Sequence, residues 1–119
     1  MIAQVSMTVK DLEETIEFYE KYIGLRVVKD EREHGMPIAF MAADEKDQTI
    51  LELIQSDHPY QGSGIFLGVQ TADFEERRSF LAAEGLQVSD VISPAPGVRF
   101  FLVPDPNGLQ VKMIEEAAR

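Results

Sequence analysis

The chain has 119 residues, of which 45% are hydrophobic and none is cysteine. This length suits one domain with a sizeable core, and the lack of cysteine excludes disulfides, thiolate metal sites and a cysteine nucleophile. The net charge of −10 argues against a nucleic-acid partner, because phosphate would be repelled. It is compatible with a cationic ligand, although solubility is the simpler explanation.

The sequence predicts no membrane span and no leader. It has no run of about 18 apolar residues, which a membrane helix needs. The N-terminus opens directly into a strand-like pattern, without a basic region followed by an apolar stretch. We therefore expect no signal peptide and a cytoplasmic protein.

The first half of the chain predicts a strand, a helix and three further strands. Residues 2–9 alternate between apolar and polar side chains, which is typical of a half-buried strand. Asp11 is a candidate N-cap of the following helix, with Glu14 at the reach-back position. Gly24 is expected to end this helix in the left-handed conformation. The three strands are predicted at residues 25–29, 37–42 and 49–54.

After a polar linker at residues 55–63, the same order of elements returns. A strand at 65–69, a helix beginning near Asp73 and strands at 88–92, 98–103 and 109–114 are predicted. A strong turn precedes the last strand, at Asp105-Pro106-Asn107-Gly108. The pairs Val9/Val69, Asp11/Asp73, Gly24/Gly85 and Glu52/Lys112 lie 60, 62, 61 and 60 residues apart. We predict one α+β domain of two βαβββ modules, at about residues 1–55 and 64–116.

Alternation assigns two faces to each predicted sheet. The apolar face is expected to pack against the helix of its own module and comprises Val5, Met7, Val9, Leu51, Leu53, Ile65, Leu67, Val69, Val111 and Met113. The other face mixes polar, apolar and glycine residues: Gln4, Ser6, Thr8, Ile50, Glu52, Ile54, Gly64, Phe66, Gly68, Gln110, Lys112 and Ile114. Such a face suits the lining of a cavity better than a dry core or open solvent.

Glu52 is the one carboxylate in the apolar strand at residues 49–54. A buried carboxylate costs several kcal/mol unless it is compensated. Two interpretations are about equally favoured: Glu52 is an acid or base in a ligand pocket, or it forms an ion pair with Lys112 that holds the modules together. Lys112 is then an anchor for an anionic or carbonyl-bearing ligand, the partner of Glu52, or a solvated lysine at the edge of the sheet.

Several motifs resemble the vicinal oxygen chelate superfamily, which includes glyoxalase I, bleomycin-resistance proteins and extradiol dioxygenases. They are Val9-Lys10-Asp11-Leu12, Phe18-Tyr19, Gly24-Leu25 and the closing Asp105-Pro106-Asn107-Gly108. The resemblance covers about residues 2–115. It implies paired βαβββ modules in a curved, cupped mixed sheet, with the cavity often built across a homodimer.

The resemblance also implies where a metal would bind in an enzyme of the glyoxalase type. The corresponding positions are Gln4, Glu52, Gly64 and Lys112. Glycine has no ligating side chain, and a protonated lysine repels a cation. We therefore expect no divalent metal cofactor at this site.

These observations favour a small-molecule-binding protein with a degenerate metal site. We expect a homodimer without nucleic-acid or membrane partners. The alternatives are a metal-dependent lyase or isomerase related to glyoxalase I (lactoylglutathione lyase-like), and an interaction module without a small ligand. The predicted site residues are Glu52 as the candidate catalytic group and Gln4, Phe66, Arg99 and Lys112 as candidate ligand contacts. His34 and His58 lie in predicted turns and are expected to be solvated.

Overall fold

The computed structural model describes residues 1–116, which form two compact units. The first is Met1–Gln61, and the second begins at Gly62. In the first unit the regular elements are β1 (Gln4–Val9), α1 (Leu12–Phe18), a π-helical turn (Tyr19–Ile23), β2 (Arg26–Asp30), a 3₁₀ turn (Glu31–His34), β3 (Ile38–Ala42) and β4 (Ile50–Gln55).

The four strands of this unit form sheet 1, in the order β1-β4-β3-β2. β1 pairs with β4 in parallel, while the other neighbours are antiparallel. A parallel pair needs a long crossover, and the segment from α1 to β3 supplies it. β1 and β4 therefore lie side by side although Gln4 and Glu52 are far apart in sequence.

The predicted ends of the first helix are confirmed. The Asp11 side chain accepts a hydrogen bond from the backbone N–H of Glu14 at 3.1 Å. Gly24 has φ 91°, the left-handed conformation that glycine adopts at low cost. Between them, the last turn widens into the π-helical segment, which buries Tyr19 and Ile23.

The second unit repeats this arrangement. Its elements are β5 (Phe66–Thr71), α2 (Phe74–Ala83), β6 (Ile92–Ala95), β7 (Val98–Pro104) and β8 (Gln110–Glu115). Sheet 2 has the order β5-β8-β7-β6, with β5 parallel to β8. This order matches that of sheet 1 strand for strand, so the predicted α+β architecture of tandem βαβββ modules is confirmed.

The second helix begins at Phe74, next to Asp73 as predicted, but its start differs from that of α1. Asp73 has φ 51° and ψ 50°, and its side chain makes no capping hydrogen bond. One local prediction for this unit is wrong: residues 88–91 do not form a strand, and β6 begins only at Ile92. There the Ser89 N–H donates to the Leu102 carbonyl at 2.9 Å, but Ser89 Oγ accepts the Leu102 N–H at 2.8 Å and Arg78 binds the Ser89 carbonyl. Side chains therefore replace part of a regular ladder.

Each unit has its own core on the helix-facing side of its sheet. In sheet 1 this side buries Met7, Val9, Ala39, Met41, Leu51 and Leu53. Leu12 and Ile16 of α1 and Tyr19 of the π-helical turn are buried with them. In sheet 2 it buries Phe101, Val103, Val111 and Met113, together with Phe74 and Leu81 of α2. The predicted alternation is confirmed, except that Val5 and Ile65 are exposed and that Leu67 and Val69 are only half-buried.

The opposite side of each sheet is here called its mixed face. The mixed face of sheet 1 comprises Gln4, Ser6, Thr8, Ile38, Phe40, Ile50, Glu52 and Ile54. The mixed face of sheet 2 comprises Phe66, Gly68, Gln70, Phe100, Leu102, Pro104, Gln110, Lys112 and Ile114. The residues of β4 and β8 on these faces are half-buried.

Neither α1 nor α2, nor the short helical turns of residues 1–116, is long and apolar enough to cross a membrane.

Candidate functional site

Glu52 is the centre of a hydrogen-bonded cluster on the mixed face of sheet 1. It lies opposite Ser6 in the parallel register of β1 and β4. Ser6 Oγ donates to Glu52 Oε1 at 2.6 Å, and Gln4 Nε2 donates to the same oxygen at 3.2 Å. Gln4 Nε2 also lies 3.3 Å from Ser6 Oγ. Two neutral donors therefore fix one oxygen of the carboxylate.

The other oxygen of this carboxylate, Oε2, receives no hydrogen bond from residues 1–61. Phe40 of β3 is the register partner of Glu52 on its other side and adds an apolar surface. The Lys29 ammonium lies 5.6 Å from the centroid of the Phe40 ring and 3.3 Å from Glu31. The cluster thus offers one fixed and one available acceptor beside an aromatic ring.

Lys112 occupies the equivalent position on the mixed face of sheet 2. Its ammonium lies 4.2 Å from the centroid of the Phe100 ring, a cation–π contact. Within residues 62–116, no carboxylate lies at salt-bridge distance from it. The predicted pairing of Lys112 with Glu52 stays a prediction.

The registers correct one alignment between the two modules. Gln4 lies beside Ile50, two residues before Glu52, and Phe66 lies beside Gln110, two residues before Lys112. The counterpart of Gln4 is therefore Phe66 and not Gly64, which lies before β5. The module offset is 62 residues in the first strands and 60 in the last, because the intervening segments differ in length.

Arg99 lies on the other face of sheet 2 from Lys112. Its guanidinium donates to Glu115 at 3.1 and 2.6 Å and to Glu75 of α2 at 2.8 Å, and it lies 4.9 Å from the Phe74 ring centroid. The structure therefore does not bring Arg99 together with Phe66 and Lys112, although all three are predicted ligand contacts. Glu75 and Glu115 are the partners of Arg99.

The contact between Arg99 and Glu115 shifts the pKa values of both groups. Hydrogen bonds from Arg99 hold the pKa of Glu115 below its ordinary value, with the charge of Arg99 acting in the same direction. The same hydrogen bonds, with those to Glu75, raise the pKa of Arg99. Both side chains of the Arg99–Glu115 pair are about one-third exposed, at 36% and 34%.

We expect this cluster to make stability depend on pH. A carboxylate whose pKa is lowered by folding contributes stability above its unfolded pKa, and this is lost as pH falls through the folded value. Arg99→Met should therefore lower the thermal midpoint at neutral pH. The difference in thermal midpoint between Arg99→Met and the wild type should shrink as pH falls below the ordinary glutamate pKa of about 4.3. Thermal unfolding followed by circular dichroism across the acidic range measures this.

Arg26→Met is the matched control for this prediction. Arg26 lies 3.6 Å from Glu45, and both side chains are more than half exposed, at 57% and 76%. Such pairs contribute little, so the thermal midpoint should hardly change. If the thermal midpoint of Arg99→Met differs from that of the wild type by the same amount at every pH, the loss comes from packing on Phe74 and not from charge.

The predicted metal positions do not form a complete ligand set. Gln4 and Glu52 are adjacent and could both ligate, but their counterparts Phe66 and Lys112 cannot. Among residues 1–116, no three His, Asp or Glu side chains are grouped so that they could hold an ion. The residues at this site therefore do not fit the metal centre that the resemblance implies.

The remaining candidates lie away from these clusters. His34 and His58 are exposed, as predicted. The backbone of His58 is engaged at both groups: its carbonyl accepts from Thr8 Oγ1 at 3.1 Å, and its N–H donates to Ser56 Oγ at 3.0 Å. An open groove of about 500 Å³ runs beside β2 and includes His34. A second groove, of about 370 Å³, lies at the start of α2 near Asp73. Ser6 was missed as a site residue, because a lone serine on a polar face carries no distinctive signal.

Comparison with known proteins places the chain in a family. The sequence profile of the glyoxalase/bleomycin resistance protein/dioxygenase superfamily matches residues 1–113. The search of curated proteins found no match.

Solved structures share the fold at low sequence identity. A member of the same superfamily from Sphaerobacter thermophilus is 20% identical with a TM-score of 0.75, covering 98% of this chain and 97% of its own. The trypanothione-dependent glyoxalase I of Leishmania major is 19% identical with a TM-score of 0.74, covering 98% and 86%. The fosfomycin resistance protein FosX of Mesorhizobium loti is 15% identical with a TM-score of 0.70, covering 98% and 92%. The chain belongs to the glyoxalase/bleomycin resistance protein/dioxygenase superfamily.

Proposed function

We propose that the chain is a small-molecule-binding protein and that Glu52 is its principal hydrogen-bond acceptor. The observation that carries this proposal is the asymmetry of the carboxylate: Ser6 and Gln4 fix Oε1, while Oε2 has no donor from residues 1–61. An acceptor held in place before binding loses little freedom when it binds a donor. The adjacent Phe40 ring supplies apolar contact area, as ligand sites usually do.

This arrangement favours ligands that present a hydroxyl, amine or amide hydrogen. If the bound molecule reacts, Glu52 is the group on the mixed face of sheet 1 that can accept its proton, which is the catalytic role proposed for it. Ser6 and Gln4 would then orient the carboxylate rather than contact the reacting atoms. The known resistance protein and glyoxalase I share the fold, which supports a role in binding small organic molecules without naming one.

The test is a fragment titration followed by heteronuclear NMR. A panel of small amines, polyols and hydroxyketones is added to the wild type and to Glu52→Gln. Fragments that bind should shift the amides of Ser6, Phe40 and Glu52. Loss of a charge-assisted hydrogen bond, worth about 1.5–3 kcal/mol, should weaken them at least about tenfold in Glu52→Gln.

Glu14→Gln is the control, because it removes the same charge from the exposed surface of α1. It should leave fragment affinity unchanged. Fragments that bind equally well to Glu52→Gln, or that shift amides only elsewhere in the chain, would contradict the proposal.

A metal-dependent lyase or isomerase is the second candidate. The contact between Gln4 and Glu52 favours it, because these are the two ligand positions of the first module. Against it, Phe66 and Lys112 supply no ligand, and the Lys112 ammonium would repel a cation. We therefore propose that the protein uses no divalent metal at this site.

Elemental analysis of gently purified protein tests this choice. We expect divalent metal well below one equivalent per chain. Added zinc or nickel should stabilise the wild type less than it stabilises Lys112→Glu, which restores a carboxylate at the fourth position. If the wild type holds one equivalent of metal and Gln4→Ala does not, the metal-dependent lyase or isomerase would be favoured. A homodimer and a cytoplasmic location stay proposals that follow from the resemblance and from the sequence.

A further inference from the structure

We propose that the mixed face of sheet 2 binds a planar aromatic carboxylate, with Lys112 pairing with the carboxylate and Phe66 contacting the ring. The inference rests on the proposed function and adds a ligand class to it. It depends only on residues 66–114 of the second unit. Three features support it. Lys112 has no anionic partner among residues 62–116, Gly68 has a backbone conformation that does not require glycine, and the exposed Phe66 ring lies beside both.

The Lys112 ammonium is a half-buried cation without an anionic partner in its unit. The chain has 21 acidic and 11 basic residues, so a lysine without a carboxylate is unexpected here. The contact with the Phe100 ring, at 4.2 Å, compensates the charge only in part. A carboxylate would do so better, because a charge-assisted hydrogen bond is stronger than a cation–π contact at a partly exposed site.

Gly68 is the register partner of Lys112 and places no side chain beside it. Seven of the eight glycines have positive φ, and Gly68 is the exception, so its backbone conformation does not require glycine. A Cβ built at Gly68 would lie 3.2 Å from Ile114 Cδ1, so the Ile114 side chain already fills part of the space over Gly68. The surface beside Lys112 is therefore low, and it has room for a thin group that lies flat on the strand but not for a bulky one.

Phe66 supplies an aromatic surface next to Gly68. It lies two residues before Gly68 on the same strand and face, and 52% of its surface is exposed. An exposed phenylalanine on a sheet face offers apolar area and a ring for stacking. A flat ring carrying one carboxylate would contact Phe66, lie over Gly68 and place its charge at Lys112. A branched aliphatic acid would meet Ile114, and an aromatic amine would be repelled by Lys112.

Benzoate is the probe, with three matched compounds added separately: acetate, cyclohexanecarboxylate and benzylamine. Heteronuclear NMR titration of the full chain should show benzoate binding most tightly and shifting the amides of Phe66, Gly68 and Lys112. Lys112→Met should weaken benzoate about tenfold or more, the effect of one charge-assisted contact. Lys112→Arg should retain most of the affinity. Gly68→Ala should weaken benzoate more than acetate, because acetate has no ring to lie over the strand.

Lys46→Met is the control, because it changes the net charge equally from an exposed turn. Equal weakening of benzoate by Lys46→Met and Lys112→Met would overturn the inference, since only the overall charge would then matter. Cyclohexanecarboxylate or benzylamine binding as tightly as benzoate would also overturn it. If benzoate does not bind while hydroxyl- or amine-bearing fragments bind at Glu52, the proposed ligand class is wrong and the proposed function stands. If no fragment binds at either face, both fail.

Discussion

Replacing Phe101 with alanine should lower the free energy of unfolding by about 3–5 kcal/mol, which is a large part of the stability of a small protein. Phe101 is fully buried on the helix-facing side of sheet 2. Its ring centroid lies 5.4 Å from that of Phe74 in α2, at an interplanar angle of 59°. The substitution removes this contact and leaves a cavity between α2 and its sheet. Urea denaturation measures the loss.

Phe100→Ala is the matched control, since it removes the same side chain one residue away. Phe100 points to the mixed face and is half-buried. We expect a clearly smaller loss of stability, because less apolar area leaves water there when the protein folds. Equal losses for the two variants would mean that both faces of β7 are buried, and the assignment of the mixed face would be wrong.

The contrast between these two phenylalanines shows why the fold could be predicted from sequence. A strand with one face on a helix must alternate, and the sequence of β8 does so: Val111 and Met113 are buried, while Lys112 between them is not. Repetition of this pattern with similar offsets then indicated two modules, and the identical strand order in both sheets confirms them.

The predicted strand at residues 88–92 is shorter than expected because side chains replace part of its ladder. The Ser89 N–H donates to the Leu102 carbonyl, but the Leu102 N–H binds the Ser89 hydroxyl and the Ser89 carbonyl binds Arg78. Asp73 resembles Asp11 in sequence, yet its backbone is left-handed and its side chain makes no capping hydrogen bond. Arg99 is a predicted ligand contact, and alternation along β7 places it on the opposite face from Lys112.

The candidate site was predictable in part. Glu52 and Lys112 stand out because a charged residue in an apolar strand is costly, and the repeat placed them at equivalent positions. Ser6 could be found only from the parallel register of β1 and β4, which the sequence does not specify to the residue. The same uncertainty caused the two-residue error at Gly64, because a register shift of two keeps every side chain on its face.

Asp105→Ala should cost about 3 kcal/mol, because the Asp105 carboxylate holds the turn before β8. The residue is 5% exposed. Its Oδ1 accepts the backbone N–H of Asn107 at 2.8 Å and that of Leu109 at 3.0 Å. Alanine would leave both donors without this acceptor, and the Leu109 donor is buried, where water cannot replace the lost oxygen.

Asp105→Asn separates the hydrogen bonds from the charge. Asparagine keeps an oxygen at the Oδ1 position, so both backbone donors retain an acceptor, although a weaker one. We expect a loss of about 1 kcal/mol by urea denaturation, well below that of alanine. Because β8 is central in sheet 2 and carries Lys112, loosening this turn should also weaken benzoate binding in Asp105→Ala more than in Asp105→Asn. If both substitutions cost the same, the negative charge of Asp105, and not its acceptor geometry, would be what stabilises the turn.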